Sequence, residues 1–263
     1  GLGTGCMGDS TVCISLGTYT SAMMEGKENL KGTSYAWPKF SCMPNKYLYD
    51  SNGIRRGMWT VSWYRDILGE GYAKLAEEKG MSPEEALGLE AEKVSVGSDG
   101  LMTVLNWLAN VDARYQKGIM IGFDGRHTRG HIYRSILEAV AMTMKGHVSD
   151  MCNEVGTTIE KLIITGGGSN SDLFMQIFAD VFNIPVVRNE VNGAAGLGSA
   201  ICAAVAANVY DSFESAVEHM VRIKDTFTPI AENAEIYSKM IPVYSEITKY
   251  TDPILKKSYE IFD

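Results

Sequence analysis

Three short stretches of this chain carry residues whose types and spacing could do chemistry. The chain opens GLGTGCMGDS, where Gly3, Gly5 and Gly8 form a G-x-G-x-x-G directly before Asp9. Gly17-Thr18 closes the apolar run TVCISL. Much later, Gly166-Gly167-Gly168 leads into Ser169, Asn170, Ser171 and Asp172. Glycine turns leave backbone N–H groups unpaired and let a ligand approach the main chain, which is the chemistry of phosphate binding. A carboxylate beside such a turn can take a proton from an attacking hydroxyl during phosphoryl transfer.

The flanking residues weigh the three stretches differently. A dinucleotide fingerprint needs a strand before its glycines and a helix directly after them. No strand residues precede Gly3, and the residues after Gly8 are β-branched and alternating. The fingerprint is rejected on that ground, and an NAD-dependent enzyme is the option that protection by ATP but not NAD would eliminate. Asp9 reads equally as a base at the mouth of a sheet and as an Asp capping its own turn. Gly17-Thr18 taken alone is a favoured turn pair that could also cradle phosphate. The triple glycine follows an apolar run and opens a helix, without the Lys of a Walker loop, and three in a row favour a nucleotide site.

The elements that must position these residues follow from periodicity. Residues 10–24 alternate as two short strands around a tight Gly17-Thr18 turn. Residues 31–50 are mixed and aromatic, read as strand and loop. A helix is expected from Gly53 to about Glu78, and another starts at Ser82-Pro83-Glu84-Glu85, with Ser82 as cap. Residues 99–128 read as loop, and a long helix follows from Thr128 to about Val155. Next come a strand at Leu162–Thr165, the glycine turn, a helix at Ser171–Phe182 and a strand at Pro185–Val187. An alanine-rich helix covers about Ala194–Ala207, and a last helix runs from Ala231 to Tyr259 with Pro242 and Pro253 as interruptions. His131 and Arg134 on the long helix are expected to satisfy a helix end or an acidic neighbour. Strands first and alternation afterwards give one α/β domain with a mixed sheet.

Together these segments resemble the carboxy-terminal domain of the FGGY carbohydrate kinases, the group that includes glycerol kinase, xylulokinase, gluconokinase and ribulokinase. The likeness rests on GCMGDSTVCISLGT, on TRGHIYRSILEAVAMTM and on IITGGGSNSDLFMQIFADVFNIPV, and reaches to VNGAAGLGSAICAAVA. It implies an actin-like ATPase, ribonuclease-H-like α/β fold: a mixed sheet flanked by helices, spanning residues 1–263. It implies a kinase that moves the γ-phosphoryl group of ATP, with Mg2+, to the hydroxyl of a pentulose or related sugar. Asp9 would be the general base, and Gly17 and Thr18 would contact the β- and γ-phosphates. Gly166, Gly167 and Gly168 would line the nucleotide, with Asp172 near the adenine and Gly57 flanking it. The family's amino-terminal, sugar-binding domain lies outside this chain, so the chain alone is expected to be weak or inactive. The alternative is a non-catalytic actin-like nucleotide-binding or regulatory module.

Composition bounds the rest. The chain has 263 residues, 45% hydrophobic and 21% charged, with a net charge of -8 and no Lys/Arg cluster. Nucleic-acid binding is therefore not expected. No apolar run approaches the roughly 20 residues that span a bilayer, so no membrane partner is expected. Five scattered cysteines without a C-x-x-C pair read as reduced thiols of a cytoplasmic protein and supply no metal site. A homodimer is one candidate assembly.

Overall fold

The computed structural model describes residues 1–262. Its centre is a seven-stranded sheet of β1 (Thr11–Leu16), β2 (Thr20–Gly26), β3 (Ala36–Phe40), β4 (Tyr47–Ser51), β7 (Lys161–Thr165), β8 (Val186–Asn189) and β9 (Ile223–Phe227). The spatial order is β3-β4-β2-β1-β7-β8-β9. β1 to β4 pair antiparallel, β1, β7 and β8 run parallel, and β9 returns antiparallel at the far edge. A separate two-stranded sheet pairs β5 (Met102–Val104) with β6 (Ile119–Ile121).

Alternation explains why β1 is central. Val12, Ile14 and Leu16 point into the main core, while Cys13 joins Cys6, Ile163 and Val187 on the other face. A strand buried on both faces must be covered twice. The helices are α1 (Gly57–Glu77), α2 (Pro83–Ala91), α3 (Arg129–Val155), α4 (Asp172–Phe182), α5 (Ala194–Ala206), α6 (Phe213–Met220) and α7 (Ala231–Phe262). On one side α3 and α4 bring Ile136, Val140, Met144, Phe174 and Phe178 onto the sheet. Burying an aliphatic or aromatic side chain of this kind contributes about 2 kcal/mol. On the other side Leu2, Ile201, Ala216 and Val217 join the opening turn to α5 and α6.

Local chemistry starts the helices where the sequence says. Ser82 accepts from the Glu85 N–H and Glu85 reaches back to Ser82, a complete capping box with Pro83 in the first turn. Thr128 and His131 cap α3 in the same reciprocal way, and Arg134 pairs with Glu138 at 2.8 Å. Glu138 also receives the Tyr237 hydroxyl and the Gly97 N–H, so one carboxylate ties α7 and the loop before β5 to α3.

Four expectations change. Pro242 and Pro253 sit inside α7 without ending it, because each removes one N–H from a helix otherwise held by its packing on α4 and α3. Residues 99–128 contain β5 and β6, not loop alone. The stretch 213–227, which the periodicity leaves unassigned, folds as α6 and β9. Within α1, Gly69 takes φ +74° and kinks a helix expected to be regular.

Candidate functional site

The parallel strands give the sheet a polarity, and polarity sorts the glycine stretches. β1 and β7 run side by side, with Thr11 opposite Lys161 and Ser15 opposite Thr165. Both therefore end at one edge, where Gly17 follows β1 and Gly166 follows β7. In parallel sheets ligands bind beyond the carboxyl ends of the strands. The two turns meet there: a Cβ added at Gly166 would lie 2.6 Å from the Leu16 carbonyl, and one at Gly168 would lie 3.0 Å from the Leu16 side chain. Only glycine allows that approach, and Gly166 has φ +91° besides.

The hairpin turn is braced from behind. The Gly17 carbonyl accepts the Met58 N–H at 3.3 Å and the Thr20 hydroxyl at 3.3 Å. This seats the first turn of α1 against the hairpin. Gly57 is buried there, and a Cβ on it would come within 2.2 Å of Thr20 Oγ1. Gly57 thus works as a packing residue beneath the hairpin, and Thr18 stands exposed at the tip.

The triple-glycine turn is a single 3-10 turn over Gly167–Asn170 leading into α4. As the first residues of that turn, Gly167 and Gly168 have no helical acceptor for their N–H groups. Gly167 is exposed, and nothing lies within 4 Å of where its Cβ would be. Ser171 caps α4 by accepting from the Phe174 N–H. The helix N-terminus and the free amides together form a site for anionic groups.

Two residues that sequence reasoning missed hold this turn in shape. The Asn192 side chain accepts the Gly166 N–H at 2.9 Å and the Ser169 hydroxyl at 3.2 Å, and donates to Asn170 Oδ1 at 3.1 Å. Arg188, buried at the end of β8, donates to the Ser169 carbonyl at 2.8 Å and to Asp172 at 2.8 Å. It also forms a two-pronged pair with Asp225 of β9 at 2.9 and 2.6 Å. These bonds hold the Asp225 carboxyl below its ordinary range and raise the Arg188 guanidinium. The only sequence signal for either is position: Arg188 ends a strand and Asn192 precedes a glycine turn. Asp172 is largely exposed, and its carboxylate answers Arg188.

Asp9 is not part of this assembly. Thr157 donates to the Asp9 carbonyl, and Glu160, just before β7, donates to the Ser10 carbonyl. Asp9 therefore stands at the amino ends of β1 and β7, opposite the glycine turns. The six residues of β1 separate them by roughly 20 Å at about 3.3 Å per residue. Its side chain is 63% exposed and pairs with Lys27 at 2.9 Å. That hydrogen bond, then the turn's own backbone, holds its carboxyl below the usual carboxylate range. A base serving the two glycine turns must reach the proton it takes, and Asp9 stands at the other end of β1 from them. Of the opening glycines Gly3 serves packing, because its Cβ would fall 1.8 Å from the Ala194 carbonyl, while Gly5 and Gly8 take positive φ in the turns before β1. Gly3 lets the chain start lie against α5.

Residues 12–207 match the profile of the FGGY family of carbohydrate kinases, C-terminal domain. The chain belongs to this family. Among its relatives, the uncharacterized sugar kinase YgcE of Escherichia coli (strain K12) is 52% identical over 261 residues, 99% of this chain and 53% of that one. A ribulokinase of Bacillus licheniformis is 35% identical over 73% of this chain and 36% of its own length. The crystal structure of xylulose kinase from Rhodospirillum rubrum superposes with a TM-score of 0.82 at 24% identity, over 97% of this chain and 50% of that one. The fold is thus the actin-like α/β fold that the residues imply. The chain spans about half the length of the curated relatives it matches. No helix among the described residues is long and apolar enough to cross a membrane.

Proposed function

We propose that the chain is the ATP-binding half of an FGGY carbohydrate kinase, moving the γ-phosphoryl group of ATP to a hydroxyl of a pentulose or related sugar. The observation that carries this reading is the meeting of two glycine turns at the carboxyl ends of β1 and β7, with free amides on one and an exposed threonine on the other. Bound ATP supplies the phosphoryl group. The amides of the Gly17-Thr18 turn and the Thr18 hydroxyl hold the β- and γ-phosphates. Gly166, Gly167 and Gly168 bring bare backbone against the nucleoside, and Asp172, turned by Arg188, borders it at the start of α4. Gly57 keeps α1 close enough to brace the phosphate turn. Catalysis in this reading is positioning and charge stabilisation, with Asp9 taking no part. Mg2+ would arrive with ATP: among the described residues no cluster of three or more His, Cys, Asp or Glu could hold a metal ion. The site as built is a phosphate cradle.

The substrate class draws support from relatives named ribulokinase and xylulose kinase. Because the chain spans about half of their length, we expect it to bind ATP but to transfer little phosphate alone. Calorimetry with ATP and NAD tests the first part. Saturable binding of ATP and not NAD is expected, with Gly167→Val weakening it about tenfold. Equal binding of both, or an unaffected Gly167→Val, would sink the cradle. ADP release by a chain of the relatives' full length, screened against ketopentoses, hexonates and polyols, tests the second. A non-catalytic nucleotide-binding module draws support from one observation, the remoteness of Asp9 from the cradle. It predicts ATP binding with no ADP release on any acceptor.

A further inference from the structure

A second cavity lies beside the cradle, across the wall formed by Tyr19 and Gly53. It is a cleft of about 700 Å³ between the β4–α1 connection, the segment after β5, the middle of α3 and the middle of α7. That volume is ample for a small ligand.

Three observations mark it as built to receive something. Gly146 forms part of its floor, in the interior of α3, where glycine is unfavourable relative to alanine. Its φ is not positive and nothing lies within 4 Å of where a Cβ would be, so neither backbone nor packing demands glycine. The missing side chain leaves space open to the cleft. Next to it, His147 lines the cleft with a buried Nδ1 that has no hydrogen-bond partner. Burial lowers the pKa of this ring and keeps it neutral, while the Asn52 backbone engages it.

The third observation is charge. In a chain of net charge -8, no Asp or Glu among the described residues lines this cleft, and the cation that lines it is Arg55. Arg55 gives one N–H to the Ala109 carbonyl at 2.6 Å, and the residue is exposed. A guanidinium without an acidic neighbour selects an anion, and phosphate suits its fork. Asn52, Asn106, Ser245 and Thr248 add amides and hydroxyls around it. Anion, hydroxyls and size together describe one chemical class.

We propose that this cleft binds a phosphorylated monosaccharide, its phosphate on Arg55 and its hydroxyls among Asn52, Asn106, Ser245 and Thr248, at a site separate from the nucleotide cradle. Tyr19 lines the cleft and directly follows Thr18, so a bound ligand would press on the phosphate turn from the side opposite ATP. The inference stands whether or not the chain transfers phosphate.

Calorimetry of the protein with glucose 6-phosphate tests it, with glucose and inorganic phosphate as controls. Saturable binding is expected at millimolar concentration or below, at least about tenfold tighter than either control. Arg55→Ala and Gly146→Leu should each weaken it about tenfold and leave ATP affinity unchanged. Leucine favours helix, so Gly146→Leu fills the cleft without lowering the melting temperature. No saturable binding, controls that bind equally well, insensitivity to both substitutions, or displacement by ATP would each overturn the proposal.

Discussion

Two glycine-rich stretches, one before β1 and one after β7, have similar appearance and opposite meaning. In the first, which runs back along the sheet to the carboxyl end of β8, Gly3 lies where an added Cβ would meet the Ala194 carbonyl of α5. In the second, Gly167 lies where an added Cβ would meet nothing. The first glycine is needed because protein backbone occupies the space; the second leaves space for something else. Gly166 shares both features, pressed against Leu16 behind and held open by Asn192 in front. Spacing in the sequence does not separate these cases. Tertiary packing does, because α5 fills the space beside Gly3 while nothing fills the space beside Gly167.

Substitutions around the two stretches should fail in different ways. The largest effect is expected for Arg188→Ala, which leaves Asp225 without its partner and frees the Ser169 carbonyl. A loss of roughly 3 kcal/mol in denaturant unfolding is expected, with ATP affinity falling as well. Its pH dependence has a definite sign. Asp225 is depressed in the folded state, so its contribution is present above the unfolded carboxylate pKa and lost as pH falls through the lower folded value. The gap between wild type and Arg188→Ala should therefore close in acid; a gap unchanged there would remove the pair from the account.

Gly3→Ala should follow, costing about 2 kcal/mol as overpacking against α5 while ATP affinity in the folded protein stays near wild type. A selective loss of ATP binding would instead put the opening glycines in the nucleotide site and reverse the comparison. Asn192→Ala should cost about 1 kcal/mol through its lost hydrogen bonds and weaken ATP binding, with Asn192→Asp restoring the acceptor to Gly166 and Ser169 and part of the affinity. Equal damage by both variants would argue against the acceptor role. The smallest effect is expected for Asp9→Asn, at the exposed Lys27 pair: ATP affinity, and phosphoryl transfer in a full-length chain, should match wild type near neutral pH. Abolished transfer would restore Asp9 as the base and demand a different arrangement of the amino end of β1.

Much of the frame was legible in residue order. The alternation of Val12, Ile14 and Leu16, the Gly17-Thr18 turn, the Ser82 capping box and the long stripe of α3 are local patterns, and each is present as read. The Gly166–Asp172 turn was legible for the same reason, since an apolar strand before it and a capped helix after it lie within a few residues. The place of Asp9 was not legible because a carboxylate near a glycine loop looks alike at either end of a strand. Arg188 and Asn192 were missed because their partners lie 16 to 37 residues away, across β8, β9 and the turn. α7 passes through Pro242 and Pro253 because its packing outweighs two lost hydrogen bonds, a balance that no local rule contains.

The sequence by itself determined the long helices, the central strands, the family resemblance and the two glycine turns, because those depend on neighbours in the chain. Tertiary structure decided which turns face each other, which glycines make room for protein and which for ligand, and which side of the sheet Asp9 occupies. The physical reason is that hydrogen-bond register between β1 and β7 sets the direction of the whole sheet, and with it the edge at which unpaired amides collect.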